Sequence, residues 1–274
     1  MVAFAVTDWD DAYENGANIP GGADYPVAWE EPSATFRNTA NARPDIAYGE
    51  GQRQRYDLFL PKGEPKGLFV FVHGGYWMAL NKSYWSHLAA GPLSRGWAVA
   101  MPSYDLCPDV TIAEITAQVG AAITHAAGEV AGPMVLSGHS AGGHLVTAMM
   151  CEDTPLSEDV RRRLTHVLSI SGVHDLRPLT FMWRKEALRL DMDTAAVNSP
   201  VLKRPLKGVR LTTWVGGGER QEFLRQSELL SNIWRGLGCV TQNVVAPDRH
   251  HFNVIDALAD PDGPMLCTVL GGEG

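Results

Sequence analysis

Ser140 lies in the stretch Gly138-His-Ser-Ala-Gly142, and three further stretches carry groups that could act with it. His73-Gly74-Gly75-Tyr76-Trp77 precedes it, while Glu219, behind Gly216-Gly-Gly218, and the pair His250-His251 follow. A serine hydroxyl is a poor nucleophile until a neighbouring imidazole removes its proton. The imidazole in turn needs a carboxylate to fix its tautomer and stabilise its protonated form. Backbone N–H groups on a glycine-rich loop can hold the negative oxygen that appears when a serine attacks a carbonyl. Together these residues describe acyl transfer. Ser140 is the expected nucleophile, His251 the general base and then acid, and Glu219 the orienting carboxylate. The N–H groups of Gly74, Gly75 or Tyr76, with that of Ala141, are the expected oxyanion hole. His250 competes with His251, and Asp248 and Asp175 compete with Glu219. His251 is preferred because His251-Phe252 opens the last helical pattern, whereas His250 can serve simply to shape the loop.

Gly-x-Ser-x-Gly alone is weak in a chain with 28 glycines, where a bland tight turn explains it equally well. Its weight depends on what surrounds it. An apolar run from Met134 to Leu136 reads as a buried strand, and Gly143 to Met150 as a helix, so the serine falls on a strand-to-helix turn. Such a turn forces the serine backbone into strain and brings strand and helix close together, which small residues at 138 and 142 permit. The other groups also follow strands. Leu68-Phe-Val-Phe-Val72 runs into the His73 loop, Leu211 to Val215 into Glu219, and Val240 to Val245 into His250-His251. In parallel α/β sheets, functional groups gather on loops leaving the carboxyl ends of strands. The order serine, acid, histidine is that of the α/β-hydrolase fold. His73 and His139 read as shaping their loops, and His144, one turn beyond Ser140, as packing. The Gly216-Gly-Gly218 run lacks a following Lys-Ser/Thr and reads as a tight turn rather than a phosphate cradle.

The remaining elements complete an α/β pattern. Arg55 to Leu60 alternates as a half-buried strand, Trp97 to Met101 and Val167 to Ile170 are apolar strand runs, and Thr111-Ile-Ala-Glu114 is a capping box opening a helix to about Gly128. Ser157 can cap a short helix over Val160 to Leu164, and 221–236 has the spacing of an amphipathic helix. The pattern predicts a mainly parallel central sheet with helices on both faces. Residues 1–50, rich in Gly, Pro, Asn and Asp, read as an extended arm with one short helix, pinned to the main domain (51–274) by aromatics. Residues 172–208 lack a clean period and read as an irregular insertion or lid.

Composition narrows the function. The 274 residues are 45% hydrophobic and 20% charged, with net charge −8, which argues against nucleic acid and anionic membranes as partners. Met1 to Asp11 has no basic, then apolar, leader pattern, and the four cysteines are scattered without C-x-x-C pairs. A cytoplasmic protein with no metal and no cofactor is expected. The sequence leaves a homodimer open.

His73-Gly-Gly-Tyr-Trp77, Gly138-His-Ser-Ala-Gly-Gly-His-Leu145, Ser171-Gly-Val-His-Asp-Leu-Arg-Pro178, Glu219 with Glu222-Phe-Leu-Arg-Gln-Ser227, and His251-Phe252 resemble the α/β-hydrolase kynurenine formamidases. His-Gly-Gly-x-Trp separates this group from the hormone-sensitive-lipase-like esterases, which the chain also resembles and which usually read His-Gly-Gly-Gly. The resemblance implies hydrolysis of N-formyl-L-kynurenine to formate and L-kynurenine, with a broad carboxylesterase as the alternative. Family members commonly carry aspartate as the triad acid, so Glu219 is a departure. An aromatic amide or ester substrate needs an apolar wall, for which Tyr76, Trp77, Phe181, Trp183 and Phe252 are the candidates.

Overall fold

The structure, a computed structural model, describes residues 5–271. Eight strands form one sheet in the order β1-β2-β4-β3-β5-β6-β7-β8. They are β1 (Ala42–Ala47), β2 (Arg55–Phe59), β3 (Leu68–Val72), β4 (Ala98–Pro102), β5 (Met134–His139), β6 (Leu164–Ile170), β7 (Arg210–Gly216) and β8 (Val240–Ala246). β1 and β2 pair antiparallel, as do β2 and β4, and every other pairing is parallel. This is the α/β-hydrolase fold.

Strand residues alternate between two cores. Leu68, Val70 and Val72 of β3 face one, while Phe69 and Phe71 face the other. A strand buried on both faces reads as a continuous apolar run, because each face has its own helices to pack against. The first core takes in the helix Ile112–Glu129, the helix Ala141–Ala148 that follows the elbow, and the helix Gln221–Gly236. The second holds Trp29, Trp85, Leu258 and Leu266 from the opposite layer.

Both caps expected from sequence are present. Thr111 and Glu114 form a reciprocal capping box, and the Ser157 side chain accepts from the Val160 N–H. The register brings the functional ends together: Val72 lies opposite Gly138, His139 opposite Ile170, and Gly216 opposite Ala246. Each loop that carries a candidate group therefore leaves the same edge of the sheet.

The N-terminal region differs from the extended arm expected. It contains helices Trp9–Tyr13 and Tyr25–Thr39 and the edge strand β1. The second helix carries Pro32 in its interior, which breaks the sequence pattern and removes an N–H. Tertiary contacts hold it: Trp29 packs on Trp85 with ring centroids 5.1 Å apart, and Ser33 Oγ donates to the Tyr84 carbonyl at 2.7 Å. β1 is exposed along most of its length and has a register shift between Arg43 and Ile46, so it shows no alternation to read. Residues 172–208 are also more ordered than an irregular insertion, with short helices Lys185–Leu188 and Met192–Val197 between two 3₁₀ turns. The segment after His251, expected to be helical, is a 3₁₀ turn at Val254–Ala259 before the helix Pro264–Leu270. Among the described residues, no helix is long and apolar enough to cross a membrane.

Four buried histidines have a consequence for acid stability. Burial pulls His73 and His174 down to about 3, and His144 and His166 down to about 4, from an ordinary 6.5. All four are neutral in the folded chain at pH 7. Below pH 6.5 the unfolded chain binds protons that the folded one refuses, so stability is lost from there down toward pH 3–4. Each group contributes up to about 1.4 kcal/mol per pH unit. The thermal midpoint is expected to fall by several degrees between pH 7.5 and pH 5, as scanning calorimetry would read directly. A midpoint level across that range would contradict it.

Candidate active site

Ser140 is held at φ 56°, ψ −117°, a conformation side chains avoid, at the junction of β5 and the helix Ala141–Ala148. Its N–H is anchored to the Ile170 carbonyl of β6 at 2.8 Å. The flanking glycines are sterically required. A Cβ at Gly138 would stand 2.2 Å from the Gly142 carbonyl oxygen, and one at Gly142 would stand 2.0 Å from that of Val72. The turn thus closes against β3 and pushes Ser140 out of the sheet edge into a cavity whose wall it shares with His251.

His251 Nδ1–H donates to Glu219 Oε2 at 2.6 Å, with both side chains buried. That bond fixes the tautomer and leaves Nε2 as the basic nitrogen. The carboxylate is itself clamped, since Glu219 Oε1 accepts from Ser171 Oγ at 2.5 Å and from the Gly216 N–H at 2.7 Å. Ser171 sits at φ 51° just beyond β6, aimed at the acid. The glycine run ties the acid loop to the histidine loop: the Gly217 N–H donates to the Ala246 carbonyl at 2.7 Å and the Gly218 N–H to the Arg249 carbonyl at 2.9 Å. The longer glutamate therefore reaches the imidazole from a tight turn, with two donors defining where its carboxylate lies.

The competing residues are placed elsewhere. His250 pairs with the Tyr25 hydroxyl at 3.1 Å and accepts from the Phe252 N–H. Asp175 is gripped by the Arg177 guanidinium at 2.8 and 2.9 Å. Asp248 lies at φ 59° in the loop before the histidines, and the carboxylate on His251 is that of Glu219.

Three other histidines build the surroundings. His139 Nε2–H donates to the His251 carbonyl at 2.8 Å, and burial, then the nearby His251, holds its pKa well below the usual range. His73 Nδ1–H donates to the Gly74 carbonyl at 2.7 Å while its ring stacks on Tyr104 at 4.3 Å. His144 donates to the Asn198 carbonyl at 2.7 Å and meets Trp77 edge-on.

The loop after β3 turns sharply, with Gly75, Tyr76 and Trp77 all at positive φ. A Cβ at Gly75 would stand 2.3 Å from the Ala79 carbonyl, and one at Gly74 would stand 3.0 Å from Ser140 Cβ. Among the described residues, the N–H groups of Gly74, Gly75, Tyr76 and Ala141 donate to no recorded acceptor. They are free for an oxyanion beside Ser140. The Tyr76 hydroxyl donates to the Tyr13 carbonyl, so the arm supports this loop.

The cavity above Ser140 has a volume of about 470 Å³. Of the five wall candidates, Tyr76 and Phe252 line it. Trp77 does not: it is 1% exposed and packed in the core. Phe181 and Trp183 are 60% and 65% exposed and lie outside the lining. The wall is completed by residues outside those five, among them Trp29, Trp85, Met78 and Arg184. Trp29 comes from the helix disguised by Pro32, so no local pattern pointed to it. Ser171 stood in a motif that carried the family resemblance, but its hydroxyl had no visible partner in one dimension.

The BD-FAE family model matches residues 56–207, more than half of the chain. The chain belongs to the BD-FAE family. It is an α/β-hydrolase, acting on amide or ester bonds. This BD-FAE chain is 28% identical to the kynurenine formamidase of Salmo salar, over 86% of its own length and 83% of that protein. A solved structure from Silicibacter sp., provisionally described as a thioesterase, is 50% identical with a TM-score of 0.92, covering 96% of this chain and 99% of that one. Esterase B of Lactobacillus rhamnosis shares the fold at 19% identity and a TM-score of 0.63, covering 85% of this chain and 89% of that one.

The clamp on Glu219 gives a test within this BD-FAE site. Removing the Ser171 hydroxyl takes away a hydrogen bond to a charged group, typically worth about 1.5–3 kcal/mol. Ser171→Ala is expected to lower kcat by roughly ten-fold to a hundred-fold with little change in KM. Glu219→Ala should lower it further. Steady-state kinetics on any turned-over ester reads both, and Ser171→Ala with wild-type kcat would show that the Gly216 donor suffices.

Proposed function

We propose that this chain hydrolyses N-formyl-L-kynurenine, or a closely similar aryl formamide, through a formyl-enzyme. The observation that carries the reading is the aromatic-walled cavity of about 470 Å³ opening on Ser140 and His251. It accommodates an aryl group, and the formyl carbon is small enough to reach a serine so close to the sheet edge. Likeness to the Salmo salar kynurenine formamidase over most of both chains supports the same substrate class.

In the first half-reaction, His251 Nε2 takes the Ser140 hydroxyl proton as Oγ bonds to the formyl carbon. The carbonyl electron pair moves to oxygen, where N–H groups from the 74–76 loop and Ala141 hold it. Each such donor is typically worth about 3–4 kcal/mol in the transition state. Glu219 balances the imidazolium. As the intermediate collapses, the C–N bond breaks and the arylamine leaves with the proton from His251 Nε2. Water then repeats the sequence, giving its proton to His251, and releases formate and free Ser140.

A broad carboxylesterase is the second reading, favoured by the provisional thioesterase description of the 50% identical structure. Parallel assays separate the two. N-formyl-L-kynurenine is expected to be cleaved with a kcat/KM at least ten-fold above that for p-nitrophenyl acetate. Rapid ester turnover with no formamide cleavage would establish the esterase instead.

A further inference from the structure

The cavity is largely apolar, but charged side chains reach it at Glu14 of the N-terminal region and Arg184 of the 172–208 segment. Glu14 Oε2 accepts from Arg184 Nη2 at 3.0 Å, and Glu14 Oε1 accepts from the Gly16 N–H at 3.1 Å. The guanidinium lies over the Tyr76 ring and over the Trp183 ring, 4.8 Å from each centroid. Arginine stacked in this way is held with its donors fixed, and among the described residues a single one of its five N–H groups has a recorded acceptor. Beside them Asn15, 4% exposed, also lines the cavity, and among the described residues its Nδ2 is a buried donor without a partner. A buried donor left unpaired costs stability, and one that faces a cavity can regain its bond from a bound ligand. The partly exposed Glu14–Arg184 pair itself contributes little to stability. A plain tether between the two segments accounts for the ion pair but not for the orphaned amide or the unused guanidinium donors.

We infer that Arg184, Glu14 and Asn15 form a subsite for a zwitterionic α-amino acid, the polar end of the substrate whose aryl formamide faces Ser140. This rests on the formamidase reading for its choice of substrate. The substrate carboxylate takes the free Arg184 donors and Asn15 Nδ2, and its ammonium group takes the Glu14 carboxylate. A flat aromatic cavity alone would bind any aryl amide. The subsite selects those bearing an amino acid, and its positive and negative groups set the orientation.

The test compares ligands within each protein, so changes in basal rate cancel. L-kynurenine and 2-aminoacetophenone, which share the aryl ketone, are measured as competitive inhibitors of p-nitrophenyl acetate hydrolysis. Wild-type protein is expected to bind L-kynurenine at least ten-fold more tightly. In Arg184→Met that ratio is expected to fall to near one, the loss of a charge-assisted pair being roughly ten-fold to a hundred-fold. Glu14→Gln should weaken L-kynurenine but not 4-(2-aminophenyl)-4-oxobutanoate, which lacks the ammonium group. A wild-type ratio near one overturns the inference, as does a wild-type ratio retained in folded Arg184→Met or, should that variant not fold, an unselective Glu14→Gln. Failure of the functional reading looks different: N-formyl-L-kynurenine is not cleaved, yet the inhibitor ratio and its dependence on Arg184 remain.

Discussion

Ser140→Ala is expected to abolish hydrolysis, lowering kcat by about a million-fold while the protein folds normally. The two parts of that expectation have separate grounds. The chemistry needs Oγ as the atom that bonds to the acyl carbon, and among the described residues lining the cavity Ser140 is the one with a hydroxyl beside His251. His139 and His144, on either side in sequence, are committed through Nε2 to the His251 and Asn198 carbonyls. The fold does not need Oγ. The turn is held by the Ser140 N–H on Ile170 and by the clearance at Gly138 and Gly142, which alanine at 140 leaves intact. Alanine must adopt the same positive φ, at a cost the serine already bears. A fluorophosphonate should label the wild-type protein at Ser140 and leave the variant unmarked. Residual activity above about one part in a thousand of wild type would indicate another nucleophile.

Gly138 to Gly142 could be read in sequence because the residues that the strained turn requires lie within five positions of one another. The same holds for the apolar runs of β3, β5 and β6, buried on both faces, and for the box at Thr111 and Glu114. Order along the chain then pointed to Glu219 and His251, each behind its own strand, and the two side chains do meet. What escaped the sequence depends on contacts across the fold. Trp29 reaches the cavity from a helix interrupted by Pro32, and that helix is held by Trp85, far along the chain. Ser171 meets Glu219 because β6 and β7 are neighbours, a pairing invisible to any local window. Three of the five wall candidates lie away from the cavity for a related reason. Trp77, next to Tyr76 in the loop, turns into the core, while Phe181 and Trp183 turn outward, since aromatic identity does not specify direction.

His251 is the second residue whose loss should be almost complete, and the substitution must be chosen with its partner in mind. Alanine would leave the buried Glu219 Oε2 without its donor, so a drop in rate would be mixed with a loss of stability. Asparagine is better, because its side-chain N–H can stand near the position of Nδ1 and keep the bond to Glu219, while nothing replaces Nε2. His251→Asn is therefore expected to fold and to lose about as much activity as Ser140→Ala. The double variant should be no worse than either single one, because nucleophile and base act as one unit. His250→Ala supplies the contrast. Its ring interacts with the Tyr25 hydroxyl and with the N–H of Phe252, a residue that lines the cavity, and its loss should cost roughly ten-fold or less. Kinetics on the four proteins, with circular dichroism to confirm folding, decides the matter. A larger loss in His250→Ala than in His251→Asn would move the base to the neighbouring ring, and Glu219 would then be orienting the wrong histidine for the chemistry.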